Sequence, residues 1–506
     1  MTQLEKAKGA GLCQFLDIKT CFDVIELRDI LAETVKAGVT GKPLRNIARF
    51  TDKNKIFIQG DETGNHKIVT NSAGQGSGYA PTGTSLTMAK VINDNIAKRE
   101  EELGQKISAP LNGIPMSHLM FVDDFSKCCM TSEESKQMGI AITKALKSLK
   151  MEAHKDKSCI LVFGKKRDSL KEEILSNPTI IQDFTMAFKD SETYLGMQFS
   201  QLGAVDSITM TLLARRVKCM VKAIDLRNKL EDLRVQSLGW LVTALTVFKA
   251  VIVSTLTYGC GAWVNLTKAQ EELIEAIQRQ CLVTVLGISS RCSYQTLLHV
   301  TSIPPAMEIV NKTKVTFVND LLHIKGKGIC AEVIQLEHEA TPNKGIIREV
   351  KDICQRWGLE DVSQTYVEPK RLKSLIESQI KQKVLVASLM TKSAPLHRLK
   401  DKSNRQRDYF LMPKERAMLG LAYDVGCLNL RGNRRAESLK KFGTTKCLVP
   451  ACTGEDNWGH ITQGCQGYMT PAYKDKGEVV EFIDYLYNIN RERVSRFKTS
   501  MVNWSS

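Results

Sequence analysis

The chain has 506 residues, of which 71 are Lys or Arg and 55 are Asp or Glu, for a formal net charge of +16. A hydrophobic share of 43% with 25% charged residues is that of a folded protein with buried cores, which excludes a fibrous repeat and a wholly disordered chain. The positive surplus is concentrated between Lys370 and Lys446, where 19 Lys and Arg stand against 6 Asp and Glu. Such a segment points to a polyanion, nucleic acid before anionic membrane, with a solvated helical face as the alternative.

From the N-terminus, "MTQLEKAKGAGL" lacks the apolar run of a signal peptide. Most of the 15 cysteines are isolated, as at Cys13, Cys219, Cys281 and Cys354. Both features predict an intracellular protein, nuclear or cytoplasmic and not secreted, with free thiols. "GLCQFLDIKTCFDVI" predicts a short strand running into a helix, and "ELRDILAETVKAGV" continues with helical spacing as far as Gly38 and Gly41. "KIFIQGDETGNHKIVTNSAG" reads as a hairpin and "TGTSLTMAKVINDNIAKREEEL" as a helix. "MSHLMFVDDFSKCCM" reads as strand, tight turn, strand; "EESKQMGIAITKALKSLKM" is an amphipathic helix and "KSCILVFG" a strand.

From about Asp206 the pattern is helical. In "QEELIEAIQRQCLVTVLGI", Leu273, Ile277, Cys281 and Val285 mark a buried stripe widened by Leu282 and Leu286. "LGWLVTALTVFKAVIVSTLTYGCGAW" is long and apolar, but Lys249 sits at its centre, so it reads as a buried helix and no membrane partner is expected. "PNKG" near Pro342 and "SAPLHRLKDKSNRQRD" near Ala394 are the linker candidates.

Two motifs carry chemistry. Asp123 and Asp124 stand at the tight turn between two apolar runs, and Asp17 ends the strand "CQFLD". Three carboxylates brought together repel unless cations lie between them, and Mg²⁺ suits hard oxygen ligands while leaving room for water and phosphate. A solvated acidic turn is the alternative for the pair taken by itself. Near the C-terminus, Cys447, Cys452, His460 and Cys465 form C-x4-C-x7-H-x4-C, a donor set suited to one structural, tetrahedral Zn²⁺. Trp458 would cover that site or stack on a base.

These motifs follow one another as they do in a known family. "FLDIKTCFDVI", "GQGSGYAP", "FVDD", "HKDKSCILVFG" and "ETYLGMQF" occur in order over about 180 residues, and the chain resembles the reverse transcriptases of non-LTR (LINE-type) retrotransposons. The resemblance implies an α+β fold: a polymerase palm, with helices packed on an antiparallel sheet, then a helical thumb, a helical and basic region and a small CCHC zinc knuckle. It implies residues 1–205 as palm, 206–300 as thumb, 301–395 as a helical connector, 396–446 as a basic nucleic-acid-binding segment, 447–465 as the knuckle and 466–506 as a tail.

The resemblance also assigns roles. Asp17, Asp123 and Asp124 would hold two Mg²⁺. Phe22 would sense the sugar 2′ position, and Gln75, Gly76 and Pro81 would line the loop supporting nucleotide and template. Lys157 would act on the leaving phosphate, and Tyr194, Leu195 and Gly196 would form the primer grip; packing roles for Phe22 and Tyr194 and a surface role for Lys157 stay open. Arg215, Arg216 and Lys218 are candidates to track duplex backbone. The implied partners are an RNA template, a DNA primer or duplex and deoxynucleoside triphosphates, with no expectation for oligomeric state.

Asp17 lies sixteen residues after Met1, so the fingers region that precedes this motif in the family is expected to be missing and activity to be weak or absent. The accompanying endonuclease is not apparent in the sequence. The alternative function is an inactive, retrotransposon-derived nucleic-acid-binding protein. A group II intron maturase-like protein is a third reading.

Overall fold

The computed structural model describes residues 9–19, 24–51, 54–57, 66–69, 79–107, 110–111, 114–115, 118–232, 239–290, 292–323, 329–340 and 345–389, with 417, 418 and 421. These fall into two units: Met1–Thr211 with Gly326–Asn343, and Leu212–Lys325 with Lys344–Ser506.

The first unit begins with β1 (Ala10–Lys19), α1 (Leu27–Lys36), α2 (Gly41–Thr51) and the hairpin β2 (Asn54–Phe57) and β3 (His66–Val69). Helix α3 (Ala80–Leu103) and the short hairpin β4 (Pro110–Leu111) and β5 (Ile114–Pro115) follow. Next come β6 (Leu119–Phe121), β7 (Asp124–Cys129), α4 (Ser132–Ser148), β8 (Glu152–Ala153), β9 (Cys159–Gly164) and α5 (Arg167–Ser176). The small strands β10 (Ile180–Ile181), β11 (Phe184–Thr185) and β12 (Ala187–Phe188) lead to the hairpin β13 (Ser191–Tyr194) and β14 (Met197–Ser200).

One sheet organises this unit, in the order β12–β9–β1–β7–β6, with β8 also pairing β1. Strand β1 is its centre, antiparallel to both β7 and β9. Burial on both faces explains why β1 reads as an almost unbroken apolar run: every residue from Ala10 to Leu16 is buried.

The alternation of side chains divides β1 between two cores. Leu12, Leu16 and Ile18, with Phe125 and Cys129 of β7, pack with Met88 and Ile92 of α3 and Met138, Ile142 and Ala145 of α4. Cys13 and Phe15 join Cys159, Leu161 and Phe163 of β9 on the other face, with Tyr194 and Phe199 of the β13–β14 hairpin packed against them. Phe125 and Phe163 are fully buried, and each such side chain contributes about 2–3 kcal/mol by leaving water.

Local chemistry sets the ends of these elements. Thr131 caps α4 by accepting a hydrogen bond from the Glu134 amide at 3.1 Å, and Glu134 Oε2 accepts the Met130 amide at 2.7 Å. The β13–β14 turn has two residues, Leu195 and Gly196, at φ 49° and 74°. A two-residue turn with both φ values positive matches the twist of a hairpin, and Gly196 takes that conformation without strain.

Helix α6 (Ala204–Asp232) carries the chain from the first unit into the second. The second unit is helical in all its described secondary-structure elements. It contains α7 (Trp240–Val247), a π-helical stretch Phe248–Val253, α8 (Ser254–Thr257), α9 (Lys268–Leu286), α10 (Tyr294–Thr301) and α11 (Ala306–His323). Helix α12 (Ile329–Ala340) belongs to the first unit, and α13 (Ile346–Arg356) and α14 (Pro369–Leu389) complete the second. Leu372, Ile376, Ile380 and Val384 form a buried stripe at four-residue spacing on α14.

The expected buried face of α9 is present at Ile277, Cys281, Leu282, Val285 and Leu286; its second turn buries Ile274 instead of Leu273. Thr267 and Gln270 close a capping box at its start. The segment Trp240–Ala262 is long and apolar enough by composition to cross a membrane. Its Trp240, Leu241, Phe248, Ile252 and Leu256 are buried inside the second unit, interrupted by the π-helical stretch. Of the linker candidates, Gly345 alone is described, before α13; Pro342–Lys344 and the whole stretch near Ala394 fall outside the described residues.

Candidate active site

The β1–β7 ladder brings Asp17 directly opposite Asp124. Both lie on the face that carries Cys13 and Phe15, because side chains two residues apart along a strand share a face. Asp123 belongs to the two-residue loop between β6 and β7, where Phe121 pairs with Asp124. Val122, the first loop residue, has φ 59°, a conformation that strains a β-branched side chain. The Val122 amide is fixed by a hydrogen bond to Ser85 Oγ of α3 at 3.2 Å. Helix α3 thus holds the loop that presents the carboxylates.

Asp17 ends the buried part of β1, with a side chain 25% exposed. Its carbonyl accepts the His154 amide at 2.8 Å, and its own amide donates to Ser158 Oγ at 3.3 Å. This backbone lattice positions the 154–158 turn, and with it Lys157, whose Nζ lies 3.5 Å from Asp17 Oδ2. Like charges directly opposed on a ladder destabilise it, and the electrostatics agree. The Asp124 carboxyl is pushed above the usual carboxylate range by burial first, then by Asp123 and Asp17, while Lys157 pulls it down.

The hairpin β13–β14 lies against the same face. The Tyr194 ring is 5.5 Å from Phe15 and the Phe199 ring 5.6 Å. The Tyr194 hydroxyl donates to the Asp124 carbonyl at 3.3 Å. Tyr194 is therefore part of the support under Asp124, the packing role left open by its sequence, and Leu195 and Gly196 form the hairpin tip.

Sequence reasoning named Asp17, Asp123, Asp124 and Lys157, and the structure draws them to one edge of the sheet. It missed Ser85, His154 and Ser158, polar residues whose partners are more than thirty positions away and leave no local pattern. Phe22, Gln75, Gly76, Cys447, Cys452, His460 and Cys465 lie outside the described residues. Pro81 falls in the first turn of α3, where its fixed φ suits a helix start.

Arg215 requires a correction. Expected at a nucleic-acid surface, it is 5% exposed, donates to the Leu256 carbonyl at 3.0 Å and lies 5.0 Å from the Trp263 ring. Its position on the inner face of α6, beside buried Leu212 and Cys219, makes it a structural cation–π partner. Arg216 and Lys218 are exposed.

Among the described residues, no group of three or more His, Cys, Asp or Glu is gathered closely enough to hold a metal ion. The carboxylate donors still fit Mg²⁺ in kind. That ion is held by one or two carboxylates and completes its octahedron with water and phosphate oxygens. The mutual repulsion recorded at Asp124 marks a place where a cation would be stabilised.

Residues 1–199 match the family model described as reverse transcriptase (RNA-dependent DNA polymerase), so the N-terminal part of the chain is a reverse transcriptase domain. No curated protein matches the chain.

Proposed function

We propose that the chain is an RNA-directed DNA polymerase of the non-LTR retrotransposon type. The observation that carries this reading is the opposition of Asp17 and Asp124 across one ladder, with Asp123 in the adjoining loop, inside a matched reverse transcriptase domain. Asp17, Asp123 and Asp124 would hold two Mg²⁺, which when bound supply charge stabilisation for nucleotidyl transfer. The substrates are a primer 3′ end on an RNA template and deoxynucleoside triphosphates, inside the cell. Lys157 sits beside Asp17, within reach of the phosphate charge that develops there. Tyr194, through the Asp124 carbonyl and the Phe15 ring, keeps the carboxylates from drifting as the hairpin engages a primer. The basic segment 396–446 and a Zn²⁺ knuckle at Cys447, Cys452, His460 and Cys465 would contact nucleic acid.

Primer extension on an RNA template tests the reading. The wild-type chain should extend the primer, and Asp123→Ala should lower the rate by at least about a hundredfold, the scale of losing one site for transition-state charge. Equal extension by the two proteins would overturn it. One observation favours an inactive nucleic-acid-binding relic instead: the Lys157 ammonium already neutralises Asp17 in part. On that reading neither protein extends a primer, and RNA binding falls with added salt in both.

A further inference from the structure

Cys13 on β1 and Cys128 on β7 are direct partners in the ladder. They lie four residues along their strands from the Asp17–Asp124 pair, about 13 Å away at the rise of a strand, and on the same face. Their Sγ atoms are 3.0 Å apart, about 1 Å more than the length of an S–S bond. Both thiols are free. Cys13 is buried beneath the β13–β14 hairpin, whereas Cys128 is half-buried. In the sequence the two cysteines are 115 positions apart, and nothing local links them.

We propose that Cys13 and Cys128 form a dithiol modification site that a low-molecular-weight disulfide oxidises to an intrachain disulfide. Cys128 is the attacking thiol because it is the more accessible. Its thiolate displaces one small thiol from the oxidant and leaves a mixed disulfide on Cys128. The Cys13 sulfur then attacks the Cys128 sulfur, the Cys13–Cys128 bond forms, and the second small thiol departs. Two electrons and two protons pass from the protein thiols to the oxidant, which ends as two thiols. The polarity of the pair agrees with this order: the hydrogen bond between them lowers the Cys128 thiol below its ordinary value and raises Cys13.

The other described cysteines sharpen the assignment. Cys129, Cys159, Cys219, Cys260, Cys281, Cys292 and Cys354 are buried, and Cys330 is exposed. Burial pushes the Cys129 thiol well above its ordinary range and Cys159 up to about 12, which leaves both unreactive. Closure would staple the centre of the sheet to the strand that begins with Asp124, on the face where Phe15 and Tyr194 meet.

The test uses the full chain, reduced and then exposed to excess oxidised glutathione, alkylated with N-ethylmaleimide and digested without reductant. Mass spectrometry should find the peptide containing Cys13 linked to the peptide containing Cys128. The link should vanish in Cys13→Ser and in Cys128→Ser and persist in Cys129→Ser, which settles the assignment between the adjacent cysteines. Cys330 should carry only glutathione or the alkylating group. Oxidation should also raise the melting temperature of the wild type and leave that of Cys13→Ser unshifted. Alkylated Cys13 in the oxidised folded chain, or a Cys13–Cys128 link that appears only in urea, would overturn the proposal. Neither readout depends on polymerase activity.

Discussion

Lys314 in the helical unit reaches Glu349 at 2.8 Å with its side chain 4% exposed, and nearby Glu308 takes both the Lys383 ammonium and the Trp357 indole N–H. At the sheet edge of the first unit, Asp17 faces Asp124, with Asp123 beside them and Lys157 at 3.5 Å, 62% exposed. In the first case Lys314 and Glu308 each meet an opposite charge and the pairs hold helices together. In the second, like charges are held in opposition by a ladder, a two-residue loop and a serine on α3. The difference separates charge used to stabilise a fold from charge that the fold is made to tolerate. On the proposed function, these carboxylates, offset only in part by Lys157, are the groups that would hold a cation.

This contrast can be broken most forcefully at the paired end. Glu349→Ala leaves Lys314 buried without its carboxylate and should lower stability by about 3 kcal/mol, read as the urea midpoint of the helical unit. A change within error would mean that the pair contributes nothing.

His118 gives the next largest effect. It stacks on Phe125 at 5.1 Å, and burial first, then Lys127, pushes its imidazole down to about 4 from an ordinary 6.5. The neutral ring is favoured in the fold, so stability from this group is fully present above pH 6.5 and is lost as the pH falls toward 4. The loss should reach about 2 kcal/mol, and it should disappear in His118→Phe when melting temperature is followed against pH.

The smallest effect sharpens the comparison at its other end. Asp124→Asn should stabilise the protein, by about 0.5 kcal/mol, because it relieves the opposition to Asp17, while it removes primer extension. The sign with pH is the reverse of that for His118. The folded-state value of Asp124 is raised above 3.8, so its contribution is present below that pH and lost as the pH rises through the raised value. The melting-temperature gain of the Asn variant should therefore grow with pH across that range.

Much of the first unit was legible because its signals are local. The apolar run ending in "CQFLD", the helical spacing in "EESKQMGIAITKALKSLKM" and the turn at "FVDD" each report a neighbour within a few residues. The resemblance to a polymerase supplied the convergence of Asp17 with Asp123 and Asp124, since pairing between strands more than a hundred residues apart has no local trace. Where neither source applied, the reading failed in an instructive way. Arg215 belongs by sequence to a basic cluster with Arg216 and Lys218, yet helical geometry turns it inward onto Trp263 while its neighbours face out. Cys13 read as an isolated thiol until the ladder placed it on Cys128.

The loop between β6 and β7 has one further consequence. With two residues joining the strands and Val122 already held at an unfavourable angle, this hairpin has no slack for length variation. One added or deleted residue would either change the loop length or slide β7 by one position along β1, and a slide exchanges its faces: Asp124 would turn toward the core of Met88 and Met138, and Phe125 onto the face of Phe15 and Tyr194. The stretch from Phe121 to Asp124 is thus a ruler, free to change the identity of some side chains and closed to any change in their number.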